Sequence, residues 1–189
     1  MAIQGDFKAF LSDIEPSKST VERIATAHNA LRSHLASHDS FKRYCIGTYL
    51  SGSYAKCTSI RPVKDDDLRD VDVVVETAFS KADSPRFVLE ALRDAIQESR
   101  YYSSVRIQSH SVGVLQSDLK IDVVPLVEDG GRWYIGCVDD GSWTETNPRG
   151  HLEWSTNDNW QYHCGSCTLR LHPRHVSVPL LYRRAQMIS

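Results

Sequence analysis

The stretch "GTYLSGSYAKCTSIRPVKDDDLRDVDVVVE", residues 47–76, holds the pattern that decides how the chain reads. A glycine-serine pair, Gly52-Ser53, closes a run rich in aromatic and β-branched residues. After a polar loop the chain alternates acids and valines as Asp70-Val71-Asp72-Val73-Val74-Val75. Acids are poor strand formers and are costly to bury without a partner. A bound cation is such a partner, and a hard divalent ion completes its shell with a ligand that carries phosphates.

On a strand, residues i and i+2 project from one face, so Asp70 and Asp72 point the same way while Val71 and Val73 enter the core. A third acid, Asp122, lies in "LKIDVVPL". There Leu119, Ile121 and Val123 alternate onto the core face and leave Lys120, Asp122 and Val124 on the other. If the two strands are neighbours, three carboxylates converge. Such a triad can hold two metal ions, one activating an attacking hydroxyl and one stabilising a leaving phosphate. Gly52 lets backbone approach a phosphate closely, and the Ser53 hydroxyl can donate to it. A short helix opening at residues 54–58 would aim free N–H groups at the same anion.

Each feature has a plainer reading. The acid-x-acid pair could be a solvated edge strand, which the Gly-Ser turn and Asp122 weigh against. Asp65-Asp66-Asp67 lacks strand alternation and reads as a solvated loop. Lys56 and Arg61 are candidates for neutralising a phosphate-bearing ligand, or ordinary surface cations. His110 reads as a surface histidine, and Trp133, Trp143 and Trp154 as core or lobe-junction residues rather than base-stacking platforms.

Around this stretch the periodicity predicts an α/β (α+β) protein, a mixed β-sheet with flanking helices. Ser19-Thr20-Val21-Glu22 has capping-box spacing, and Val21, Ile24, His28, Leu31 and Leu35 follow as one helical stripe, giving a helix over 20–37. A shorter helix over 6–14 precedes it. Ser84-Pro85 opens a helix over 85–99 with Val88, Leu92, Ala95 and Ser99 as its stripe. Strands are expected over 44–50 and 71–76, in "SVRIQS", "SVGVLQ" and "LKIDVVPLV", and in "RWYIGCV" after a hairpin turn at residues 129–131.

The 189 residues, 41% apolar and 24% charged, suit one globular domain with a sizeable core. A net charge of -2 gives no global basic field, so long DNA or RNA is not the expected partner. The N-terminus lacks a basic region followed by an apolar one, and no run nears the roughly 18 apolar residues of a membrane span. The expected location is therefore cytoplasmic, without a membrane partner. Five cysteines, Cys45, Cys57, Cys137, Cys164 and Cys167, are odd in number and read as reduced thiols.

With these pieces assembled, the chain resembles the polymerase-β-like nucleotidyltransferases, and among them the bacterial cGAS/DncV-like enzymes (CD-NTases). The matching pieces are "GSYAKCTSIRP", "DVDVVVE", "SVGV", "LKIDVVPLV" and "WTETNPRGH", in that order. The resemblance implies a catalytic lobe, residues 1–156, that binds NTPs of the ATP/GTP class with two Mg²⁺ (or Mn²⁺) ions. It implies products that are cyclic or linear oligonucleotide second messengers in antiphage signalling. By position, Gly52 and Ser53 match the triphosphate-binding turn, with Lys56 beside them. Asp70 and Asp72 match the paired metal ligands, and Asp122 matches the third, which helps deprotonate the attacking hydroxyl. Two rival readings are a minimal nucleotidyltransferase that modifies a protein or RNA end, and a catalytically silent nucleotide-binding lobe.

The chain departs from the family in two places. Cys57 stands where the family usually has glycine, which implies a crowded turn. Residues 157–189 stand where a helical lobe is expected, and from Trp160 to Ser189 there is no acid at all. This tail reads as atypical, the mark of truncation or a changed reading frame. Within it Cys164-x-x-Cys167 with His172 and His175 has roughly zinc-knuckle spacing, for which chance is the better reading.

Overall fold

A computed structural model describes residues 2–61, 68–99, 101–102, 104–116 and 119–156. The chain opens with α1 (Ala2–Ile14) and α2 (Lys18–Ser37), separated by Glu15-Pro16-Ser17. The N-cap of α2 is Ser17, two residues before the expected Ser19. Its hydroxyl accepts the Thr20 N–H at 3.2 Å, and Glu22 faces Lys18 one turn back at 3.9 Å rather than closing a box. Pro16 keeps the preceding backbone out of the helix, and the extended Ser17 that follows is already placed to cap.

The sheet then forms from β1 (Cys45–Ser51), β2 (Arg69–Thr77), β3 (Ser104–Ile107), β4 (Val112–Gln116), β5 (Leu119–Asp129), β6 (Arg132–Gly136) and β7 (Trp143–Thr146). A one-turn helix, α3 (Gly52–Ala55), follows β1 directly. Helix α4 (Pro85–Gln97) crosses between β2 and β3, and α5 (Pro148–Thr156) follows β7. The strand order is β1-β2-β5-β4-β3, with β6 on the far end of β5 and β7 on β6. Among the described residues only β2 and β5 pair in parallel, so the sheet is mixed as expected.

Alternation sorts the two faces. Val71, Val73 and Val75 of β2 and Ile121 and Val123 of β5 are fully buried against Leu31 and Leu35 of α2 and Leu89, Leu92 and Ile96 of α4. Burying each such side chain is worth roughly 1.5–3 kcal/mol, and this layer fixes the strand register. Ser84 caps α4 through the Phe87 N–H at 3.2 Å. That helix ends at Gln97, so Ser99 falls outside the stripe assigned to it. Strand β7 and helix α5 were not anticipated; the first is four residues long and the second carries no apolar stripe.

Among the described residues no helix is long and apolar enough to cross a membrane. Cys45, Cys57 and Cys137 form no disulfide. The Asp65–Asp67 run, and Cys164, Cys167, His172 and His175 with the rest of the tail after residue 156, lie outside the described residues.

Candidate active site

The parallel pairing of β2 with β5 aligns Asp72 with Asp122 and Asp70 with Lys120. All four therefore sit on the face turned away from the core, and the two strands expected to be neighbours are so. Asp72 and Asp122 stand directly side by side. Asp70 lies one pleat along, more open, its side chain 64% exposed against 20% for Asp122.

The Gly-Ser turn reaches the same spot because Ser51, the last residue of β1, pairs with Asp72. Gly52 takes φ +66° there, and a Cβ built on it would sit 1.7 Å from Asp72 Oδ2. Two constraints thus select glycine, the left-handed backbone and the approach of the carboxylate. The turn is anchored from beneath by Tyr54, which is buried, edge-on to His28 of α2 at 5.9 Å, and donates to the Val21 carbonyl at 3.4 Å. Ser53 is exposed beside it. Cys57 ends the turn at φ +53°, left-handed backbone on a residue with a Cβ, so what the structure shows at this position is backbone strain.

Lys56 leaves the turn toward α5, where its Nζ donates to His151 Nδ1 at 2.8 Å. Arg61, the other expected phosphate partner, is engaged elsewhere. Its guanidinium donates to the Glu15 and Ser12 carbonyls at 2.9 and 3.2 Å and so finishes the C-terminus of α1.

Electrostatics follow from this crowding of acids. Burial pushes the Asp72 carboxyl above its ordinary value, and the Asp122 and Asp70 carboxylates push it further, against the opposing pull of Lys120 and Lys56. Asp122 is oriented from two sides, by Lys120 Nζ at 2.8 Å and by Gln108 Nε2 at 3.1 Å. Gln108 is in turn held by the Ser111 hydroxyl at 3.0 Å. Gly113, paired with Asp122 on β4, leaves the room that Gln108 fills; a Cβ there would lie 2.3 Å from its Nε2.

These donors suit a hard divalent ion. They are carboxylate oxygens on adjacent strands, and a cation offsets both the burial and the repulsion that lift Asp72. Among the described residues, however, no three acidic, histidine or cysteine side chains already close around one point.

Sequence reasoning missed a second group on this face. Glu76, two pleats beyond Asp72, accepts from Arg149 Nη2 of α5 at 2.6 Å, and the same guanidinium lies over the Tyr49 ring at 4.4 Å. The hydrogen bond to Glu76 raises the Arg149 pKa, and burial, with Glu76 adding to it, pushes the Tyr49 hydroxyl up to about 12. Alternation along β2 is a signal that could have put Glu76 on the face of the aspartates, but its partner is 73 residues away. His110 is exposed as expected, and its Nδ1 donates to the Gly136 carbonyl at 3.0 Å. Trp143 packs on the core, whereas Trp154 stands 77% exposed and is not a core residue.

Residues 1–159 match the family described as the Second Messenger Oligonucleotide or Dinucleotide Synthetase domain (SMODS). The cyclic AMP-AMP-AMP synthase of Acinetobacter sp. is 36% identical over 163 residues, 84% of this chain and 47% of that protein. The cyclic AMP-AMP-GMP synthase of Enterobacter hormaechei subsp. hoffmannii is 30% identical over 125 residues, 66% of this chain and 32% of that protein. Among solved structures, the Bradyrhizobium diazoefficiens CD-NTase CdnG in complex with GTP has a TM-score of 0.65 at 20% identity, covering 75% of this chain and 43% of that one. E. coli MS115-1 CdnC with ATP has a TM-score of 0.59 at 25% identity, covering 79% and 49%. The chain thus spans about half, or less, of the length of the relatives it matches.

Proposed function

The chain belongs to the SMODS family of CD-NTases within the polymerase-β-like superfamily, and from that premise we propose that its site joins NTPs into a cyclic or linear oligonucleotide second messenger. The observation that carries this reading is the alignment of Asp72 with Asp122 across β2 and β5, beside the left-handed Gly52.

In this reading Asp70, Asp72 and Asp122 hold two Mg²⁺ or Mn²⁺ ions. When bound, those ions lower the pKa of the attacking ribose hydroxyl and stabilise the charge leaving on pyrophosphate. The chain's own residues do the rest. Gly52 presents backbone to the triphosphate without a side chain in the way, the Ser53 hydroxyl donates to it, and Lys56, steadied by His151, neutralises it. Asp122, steadied by Gln108, draws the proton from the attacking hydroxyl in this reading. The lobe formed by residues 1–156 is the part of the chain that carries these groups, and antiphage signalling is the role that fits the product.

The test is incubation with the four labelled NTPs and Mg²⁺ or Mn²⁺, followed by phosphatase and chromatography. A phosphatase-resistant small nucleotide that disappears in Asp72→Asn is the expected result. Transfer of label to protein or RNA would replace this reading with that of an end-modifying enzyme.

A further inference from the structure

The register that aligns Asp72 with Asp122 also places Lys120 beside Asp70. Its Nζ lies 2.8 Å from Asp122 Oδ2 and 3.5 Å from Asp70 Oδ1, so one ammonium spans two of the three acids. The hydrogen bond and charge of Asp122 hold that ammonium more firmly protonated than usual. Among the described residues the acids have not closed around a common point, and the cation that lies between two of them belongs to the chain itself.

We infer that Lys120 is the built-in counter-ion of the acidic face: it draws Asp70 and Asp122 together in the metal-free protein and competes with a divalent ion for them. This rests on reading those aspartates as metal ligands. Lys120 stays charged throughout and exchanges only its partner. Its flexible four-carbon stem carries a compact point charge that can turn from carboxylate to phosphate oxygen. A metal arriving alone must displace the ammonium with nothing to receive it, whereas a metal arriving with a triphosphate brings an acceptor for it. The consequence is coupling: metal binds weakly without nucleotide and tightly with it. A surface ion pair without this role would contribute little to anything.

The experiment measures Mn²⁺ binding to the nucleotide-free chain by the loss of the free-ion EPR signal, in wild type, Lys120→Met, Lys120→Arg and Asp72→Asn. Lys120→Met should bind Mn²⁺ on the order of tenfold tighter, as expected when a unit charge ~5 Å from a divalent ion is removed in water. Lys120→Arg, which keeps the charge, should stay close to wild type. Lys120→Gln, which keeps a hydrogen-bond donor, replaces the methionine variant if circular dichroism shows that variant misfolded. A Met or Gln variant no tighter than wild type, or an Arg variant as tight as Met, overturns the inference; loss of binding in Asp72→Asn would still uphold the metal reading. Wild-type Mn²⁺ binding that survives Asp72→Asn overturns both.

Discussion

Replacing His28 with leucine isolates the energetic weight of one buried ring beneath the Gly52 turn. His28 lies on α2, only 3% exposed, with neither ring nitrogen hydrogen-bonded and its face against Tyr54. Burial, helped by the Arg32 charge, lowers its pKa from 6.5 to about 4. Above pH 6.5 neither the folded nor the unfolded chain protonates this ring. Below it the unfolded chain takes a proton that the folded chain refuses until about pH 4, so the histidine withdraws stability as pH falls through that window. Between pH 7.5 and 5.0 this linkage amounts to about 2 kcal/mol. Leucine has nearly the same volume and no polar atom to leave unsatisfied. His28→Leu should therefore gain roughly 1–2 kcal/mol at pH 7.5, where two buried nitrogens cease to lack partners. It should also lose about 2 kcal/mol less than wild type on acidification. Urea unfolding of both proteins at the two pH values reads each quantity, and the difference between the slopes cancels every other titrating group. Parallel pH dependence in the two proteins would refute the reasoning, whatever the absolute stabilities.

Three further outcomes follow from the site. Gly52→Ala puts a Cβ 1.7 Å from Asp72 Oδ2 at φ +66°. It should lose about 1–2 kcal/mol from left-handed strain alone, and a thermal-shift titration with ATP and Mg²⁺ should show no stabilisation by nucleotide. Asp72→Asn removes the carboxyl whose ionisation burial and its acidic neighbours oppose, so the metal-free melting temperature should rise while turnover disappears; a variant that keeps its rate removes Asp72 from the ligand set. Cys57→Gly relieves the φ +53° strain at some loss of unfolded-state restriction, for a net gain of up to about 1 kcal/mol by urea titration.

Much of this architecture was legible because strand alternation is a local signal. Asp70 and Asp72 with valines between them, and Asp122 between Ile121 and Val123, assign their own faces wherever the strands lie. Register is different. Nothing within β2 or β5 states that Asp72 meets Asp122, or that Lys120 rather than a third acid meets Asp70; the packing of α2 and α4 on the other face decides it. Contacts between distant segments were equally out of reach, as with Gln108 on Asp122, Arg149 on Glu76 and His151 on Lys56. The cap of α2 was misplaced because two serines compete near Pro16, and the proline's effect on backbone outweighs the spacing of Glu22. Helix α5 escaped because it lies against the site face through Arg149 and not through an apolar stripe.

Strands β2 and β5 are hydrogen-bonded on both edges, to β1 and to β4 as well as to each other. Interior strands of this kind are the last to open in native-state exchange. The aspartates are thus mounted on strands whose backbones are held on both edges, and their register can change only by whole-residue jumps of the ladder. Compliance is left to the carboxylate side chains and the rim, in the glycine bend and the long lysine arms, so the backbone beneath the acids stands ready-made while the groups that meet the incoming molecule do the adjusting.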